Sequence, residues 1–283
     1  LWATDVGNRR LEPRVRGVAG PFWVVPSGAM AAGPAPGLLV LGPIRVATGP
    51  AVRQLGDGVA ARLLAILAAR ANTAVSTEFL IDTLWRDEDL NDPKSTLQVQ
   101  VHRVRKLLEQ DAGWSSLPEL STGQRGYRLS ADASSLDMLA FEQLAVGARV
   151  HSAAGRWDRA RAGLEQALDL WDGDPFGGLA REIGLDAEET RLLEMRGDAE
   201  EWLSTVLLET PGADIDILRL KRLVDEAPLR ERRWGQLMVA LYREGRQAEA
   251  LETYRRAAAY LGEELGIEPG PDLREIEEQI LLQ

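Results

Sequence analysis

The chain has 283 residues, 45% apolar and 27% charged, a soluble composition long enough for about two domains that each bury a core. It has no cysteine and only two histidines, His102 and His151, far apart in sequence. That excludes disulfides and thiolate metal sites and leaves little for a histidine metal centre or a Ser-His-Asp triad, so neither a cofactor nor an enzymatic role is expected. The net charge of −11 argues against a nucleic-acid binder until its distribution is read. Residues 1–36 carry four basic and two acidic side chains, residues 37–132 eleven of each, and residues 133–283 eighteen basic against thirty-one acidic. The acidity belongs to the second half.

Residues 1–36 read as a disordered or non-native extension. Met30 opens a stretch that looks like a natural start, and 33–37 is a Pro/Gly linker. No run of about 20 apolar residues occurs, so a membrane is not an expected partner and a cytoplasmic location is. From 37 to 132 the signals are dense. Residues 38–46, rich in Leu, Val and Ile, predict a strand. Residues 57–71 predict a helix, with Val59, Leu63, Ile66 and Leu67 at helical spacing. Ser76 suits the N-cap of a second helix that turns Leu80, Ile81, Leu84 and Trp85 to a core. An acidic loop, 86–92, follows. Asp92 can cap a third helix with Pro93 at its first position, running to about 110. Alternation over 117–129 around Gly123-Gln124-Arg125-Gly126 predicts a β-hairpin. A strand, three helices and a hairpin in this order is the winged-helix plan.

From Leu136 onward the pattern is helical, with a weak internal repeat. Gly155, Gly212 and Gly245 each close one helix before another. Aligning Gly155 on Gly245 pairs Ala160 with Ala250, Leu164 with Tyr254 and Ala167 with Ala257, small residues that let helices approach. This predicts an all-α array of tetratricopeptide-like helix pairs. Arg230, Arg232 and Arg233 are expected to pair with Glu226 and Glu231. The expected fold class is therefore mainly α with a small β part, an N-terminal winged helix-turn-helix over 37–132 and a helical array over 133–283.

The third helix carries the candidate chemistry. Leu97, Val101, Val104 and Leu108 form one stripe. The opposite side holds Ser95, Gln98, Val99, His102, Arg103 and Lys106, with Lys94 and Arg105 on its flank. Lys94 to Lys106 contains four cations and no acid. Lys and Arg neutralise phosphates, Gln98 can pair with adenine and Arg103 with guanine, and Val99 can pack on a thymine methyl. The hairpin brings Thr122, Gln124, Arg125 and Tyr127 within reach of the DNA backbone or minor groove. The competing reading is a tetratricopeptide-type scaffold whose winged helix contacts only protein; the acid-free basic face is the feature such a scaffold does not need.

LGPIRV (41–46), ARLLAILAARAN (61–72), VSTEFLIDTLW (75–85), STLQVQVHRVRKLL (95–108) and GYRL (126–129) resemble the Streptomyces antibiotic regulatory protein (SARP) family. So do ALDLWDGDP (167–175), APLRERRWGQLMVALYREGRQAEALETYRR (227–256) and LGIEPGPDLREIEEQIL (265–281). The resemblance implies a response-regulator-type winged helix followed by a bacterial transcriptional activation domain. It implies activation of a secondary-metabolite (antibiotic) gene cluster, by protomers bound side by side, or as a homodimer, on tandem repeats in double-stranded promoter DNA, with recruitment of RNA polymerase holoenzyme. By the same likeness Gln98, Val99, His102 and Arg103 face bases. Lys94, Ser95, Thr96, Arg105 and Lys106, with the hairpin's Thr122, Gln124, Arg125 and Tyr127, hold phosphates. The loop residues Arg86, Asp87, Glu88 and Asp89 touch polymerase. Ser95 stands where relatives carry Asn or Arg, and no GxxxxGK[ST] phosphate loop occurs in the chain.

Overall fold

Local capping starts the helices where side-chain chemistry allows. In the computed structural model, which describes residues 36–48, 51–86, 88–109 and 116–282, Ser76 accepts the Phe79 N–H at 3.1 Å and opens helix α2, Thr77–Leu84. Asp92 accepts the Ser95 N–H at 3.1 Å, and Pro93 begins helix α3, Pro93–Leu108. That N–H holds the Asp92 carboxyl below its ordinary value. Helix α1, Val59–Ala69, is buried along almost its whole length and carries α2 and α3 on its flanks. The expected extension lies almost wholly outside the described residues.

The single strand expected over 38–46 is broken in two, and a further strand joins it. Strands β1 (Leu38–Leu39), β2 (Arg45–Thr48) and β3 (Ala51–Gln54) form an antiparallel sheet in that order, with Leu38 opposite Val46 and Arg45 opposite Gln54. The break falls at Gly42-Pro43, because proline has no N–H to give a ladder. The hairpin is as expected: β4 (Glu119–Gly123) pairs with β5 (Gly126–Ser130), with Leu120 opposite Leu129 and Thr122 opposite Tyr127.

Two backbone details hold this wing to the helices. Val75 and Tyr127 exchange N–H···O bonds of 2.8 and 2.9 Å. Gly126 permits that approach: it sits at φ 118°, and a Cβ there would lie 2.0 Å from the Val75 carbonyl oxygen. Asn72, at φ 66°, donates its side-chain amide to the Ala131 carbonyl at 2.8 Å and accepts the Ala131 N–H at 3.1 Å. A short polar side chain is what makes the left-handed conformation tolerable there.

The second half is helical: α4 (Asp137–Ala153), α5 (Trp157–Leu168), a 3-10 turn at Pro175–Gly178, α6 (Asp186–Glu209), α7 (Ile217–Glu226), α8 (Glu231–Arg243), α9 (Gln247–Leu265) and α10 (Pro271–Leu281). Ala160, Ala167, Ala250 and Ala257 are all fully buried, and Gly155, Gly212 and Gly245 take positive φ just after α4, α6 and α8, as the repeat requires. The arginine cluster is paired differently from expectation. Arg230 bridges Asp198 at 2.6 Å and Arg232 reaches Glu201 at 3.5 Å, both acids on α6. Glu231 instead accepts the Gly270 N–H at 2.6 Å. The arginines face the acidic flank of a neighbouring helix, which sequence proximity could not indicate.

Packing does not divide at residue 132. One apolar core runs from Leu38 through the winged helix into α4, α5 and most of α6, ending at Val206; a second, from Leu208 to Ile280, lies among α7 to α10. The 24-residue α6 is shared by both.

Candidate nucleic-acid interface

Helix α3 separates its two roles by face. Leu97, Val101, Val104 and Leu108 are buried against α1, α2 and β4. Lys94, Ser95, Gln98, Val99, His102, Arg103 and Lys106 are exposed. Val99 is 51% exposed, an apolar side chain left open among cations. No carboxylate occurs within α3, and among the described residues Lys94, Arg103 and Lys106 form no ion pair. Among the described residues, the Arg103 guanidinium makes one hydrogen bond, to Gln100 at 3.5 Å, one turn back. It is free to reorient toward a ligand.

Arg105 behaves differently. It is half-buried; its Nε donates to the Leu120 carbonyl at 3.1 Å and its guanidinium to the Thr122 hydroxyl at 2.6 Å. It ties α3 to the hairpin and fixes where the wing stands beside the helix. Thr96 is half-buried, and its hydroxyl donates to the Asp92 carbonyl at 2.8 Å, within the cap.

On the wing, Thr122, Gln124 and Arg125 are exposed. Tyr127 departs from the expectation that it reaches phosphate: it is only 7% exposed and packs in the core, because strand alternation turns Tyr127 and Leu129 inward. The same alternation turns Arg128 outward, a cation the sequence reading passed over. The acidic loop keeps Arg86, Glu88 and Asp89 exposed; Asp87 lies outside the described residues. Among the described residues no cluster of His, Asp or Glu could hold a metal ion, and no helix is long and apolar enough to cross a membrane.

An exposed basic helix beside a braced hairpin, backed by a helical array, defines a winged-helix transcription regulator with an appended activation domain. Residues 59–129 match the family described as transcriptional regulatory protein, C terminal, and residues 136–281 match the bacterial transcriptional activator domain. The regulatory protein DnrI of Streptomyces peucetius is 33% identical over 225 residues, 78% of this chain and 82% of DnrI. The transcriptional regulator RedD of Streptomyces coelicolor is 35% identical over 86% of this chain and 70% of RedD. The regulatory protein AfsR of Streptomyces griseus is 34% identical over 86% of this chain, which spans only 24% of AfsR. A solved structure of Mycobacterium tuberculosis EmbR in complex with a low-affinity phosphopeptide superposes with a TM-score of 0.75 at 30% identity, covering 87% of this chain and 65% of that one. The chain belongs to the Streptomyces antibiotic regulatory protein family of transcriptional activators.

Proposed function

We propose that the protein reads double-stranded DNA with α3 and activates transcription of a secondary-metabolite gene cluster from the cytoplasm. The observation that carries this is the outward face of α3: cations without carboxylate partners among the described residues, Gln98, and a half-exposed Val99, on a helix whose other face is anchored in the core. In a major groove, Gln98, Val99, His102 and Arg103 meet base edges, where a glutamine suits adenine and an arginine suits guanine. Lys94, Ser95 and Lys106, with Gln124, Arg125 and the outward Arg128, lie to either side and meet phosphates. Arg105 and Thr122 act together as the brace that keeps helix and wing in one register. Protomers occupy tandem repeats side by side, and the exposed Arg86, Glu88 and Asp89 form part of the surface offered to RNA polymerase.

The test is a gel shift of the full chain on the DNA upstream of its own gene, at several salt concentrations. Affinity should fall steeply with salt, with a slope of about −0.9 per phosphate neutralised. Binding that is independent of salt and sequence would remove the DNA-reading role and leave α3 as a protein-contact surface.

A further inference from the structure

The segment joining β1 to β2 does not satisfy its backbone within its own sheet. The Val40 N–H donates to both carboxylate oxygens of Asp137, at 2.9 and 2.8 Å, and the Leu41 N–H donates to the same carboxylate at 3.0 Å. From the other side, the Val40 carbonyl accepts the Phe176 N–H at 2.7 Å, the Leu41 carbonyl the Asp172 N–H at 2.8 Å, and the Gly42 carbonyl the Gly177 N–H at 2.8 Å. Buried backbone groups must find partners somewhere. Among the described residues, each hydrogen-bond partner of the residue 40–42 backbone named above comes from the helical half, 96 and 97 positions away for the Asp137 bonds.

The fit is close. A Cβ on Gly42 would lie 2.8 Å from the Asp172 carbonyl oxygen. Phe176 is fully buried yet sits at φ 57°, and Gly177 follows at φ 66°. A bulky residue in that region is strained and persists only where its surroundings hold it. At the rim, Arg45 bridges Asp172 and Arg62 bridges Glu182, each at 2.8 Å. Asp137 is itself 1% exposed and also takes the Met138 N–H at 2.7 Å, so its carboxylate meets only donors. An asparagine would turn an NH2 against one of them.

We propose that Asp137 is a positioning residue for activation rather than for base reading: with the 172–177 segment it locks the winged helix onto the activation domain, so that α3 meets DNA at one set orientation to the helical array. The proposal rests on the DNA-reading role given above. Its consequence is that site affinity and activation are separable. Loosening the joint leaves the α3 face intact but lets the helices that must reach a second partner swing away from it.

The chain lacks cysteine, so two labels can be placed cleanly in the full-length protein. Glu119→Cys on the hairpin and Gln166→Cys on α5, both exposed, carry nitroxides for a pulsed dipolar distance measurement. The expected result is one narrow distance distribution in the parent and its loss, by broadening or splitting, in Asp137→Asn. That variant should also keep the parent's affinity for a single DNA site while losing promoter activation. An unchanged narrow distribution in a folded Asp137→Asn overturns the proposal, as does a fall in single-site affinity and activation by the same factor. Should Asp137→Asn fail to fold by circular dichroism, the rim pair Arg45→Met with Asp172→Asn takes its place. Broadening then supports the joint, and an unchanged distribution overturns it. A parent that binds no DNA would sink the DNA-reading role instead, while the distance measurement still decides the joint.

Discussion

Two regions of the winged helix gather polar groups, and they do so in opposite ways. On the outward face of α3 the cations form no ion pair among the described residues and are exposed. In the 40–42 segment every backbone group used is matched, inside the protein, to a group from the helical half. An unpaired exposed cation adds little to folding and is available to a ligand; a matched buried acceptor fixes geometry and is available to nothing else. Substitutions in the first region should therefore change binding without changing stability, and substitutions in the second should do the reverse.

The largest effect is expected at Asp137. Asp137→Ala removes the acceptor for the Val40, Leu41 and Met138 N–H groups and should cost about 3 kcal/mol, read as a shift of the urea midpoint at pH 7. A loss below about 1 kcal/mol would show that water or a shifted backbone replaces the carboxylate. Burial pushes the Asp137 carboxyl up to about 6, against the pull of the Leu41, Val40 and Met138 N–H groups and of the Arg45 charge. The folded chain thus takes up a proton near pH 6 that the unfolded chain, at the ordinary 3.8, does not bind until lower pH. This group's contribution to stability rises as pH falls from about 6 toward 4 and declines as pH rises through the same window. The stability of the parent relative to Asp137→Asn should therefore improve by up to ~3 kcal/mol between pH 7 and pH 4. A difference that does not move with pH would mean that Asp137 titrates normally.

The two regions were also unequally legible in the sequence. Helix α3 could be read from its own residues: the apolar stripe, the Asp92-Pro93 start and the absence of acids are all local, and the structure exposes the face that the wheel exposes. Tyr127 could have been set right by the same means, since period-two alternation places it with Leu129 on the buried face. The joint was not readable. In the sequence Asp137 is one acid among the thirty-one of residues 133–283, and LLVLG falls within the single strand expected over 38–46. Only Gly42-Pro43 hinted at the break, and nothing local says that the backbone's partners lie nearly 100 positions on. The arginine cluster failed for the same reason: its acids are on α6, one helix pair away.

Next in size is Arg103→Ala. It should cost about 1–3 kcal/mol on the cognate site and relax base preference there, while the unfolding midpoint stays at the parent's value, because the exposed side chain's one hydrogen bond among the described residues is to its helix neighbour Gln100. Titrations against a panel of single-base variants decide the role. Equal losses on every sequence would move Arg103 to the phosphates.

Arg105→Ala should fall between the two regions. Removing its bonds to the Leu120 carbonyl and the Thr122 hydroxyl should destabilise the protein by about 1 kcal/mol and raise hydrogen exchange in β4. If exchange in the hairpin is unchanged, helix and wing are held together by Val75, Tyr127 and Asn72 without it.

The smallest effect, and the cleanest, is expected at Lys106, which is exposed and lacks any ion pair among the described residues. Lys106→Ala should leave the unfolding midpoint in place and weaken binding to every sequence alike. It should also flatten the plot of log affinity against log salt by about 0.9, the value for one released counterion. A position on α3 that contributes only charge must act in this way, since counterion release depends on phosphates and not on bases. If the salt slope held while affinity fell at one base pair, Lys106 would be reading sequence, and the division of α3 into base-facing and phosphate-facing residues would have to be redrawn around it.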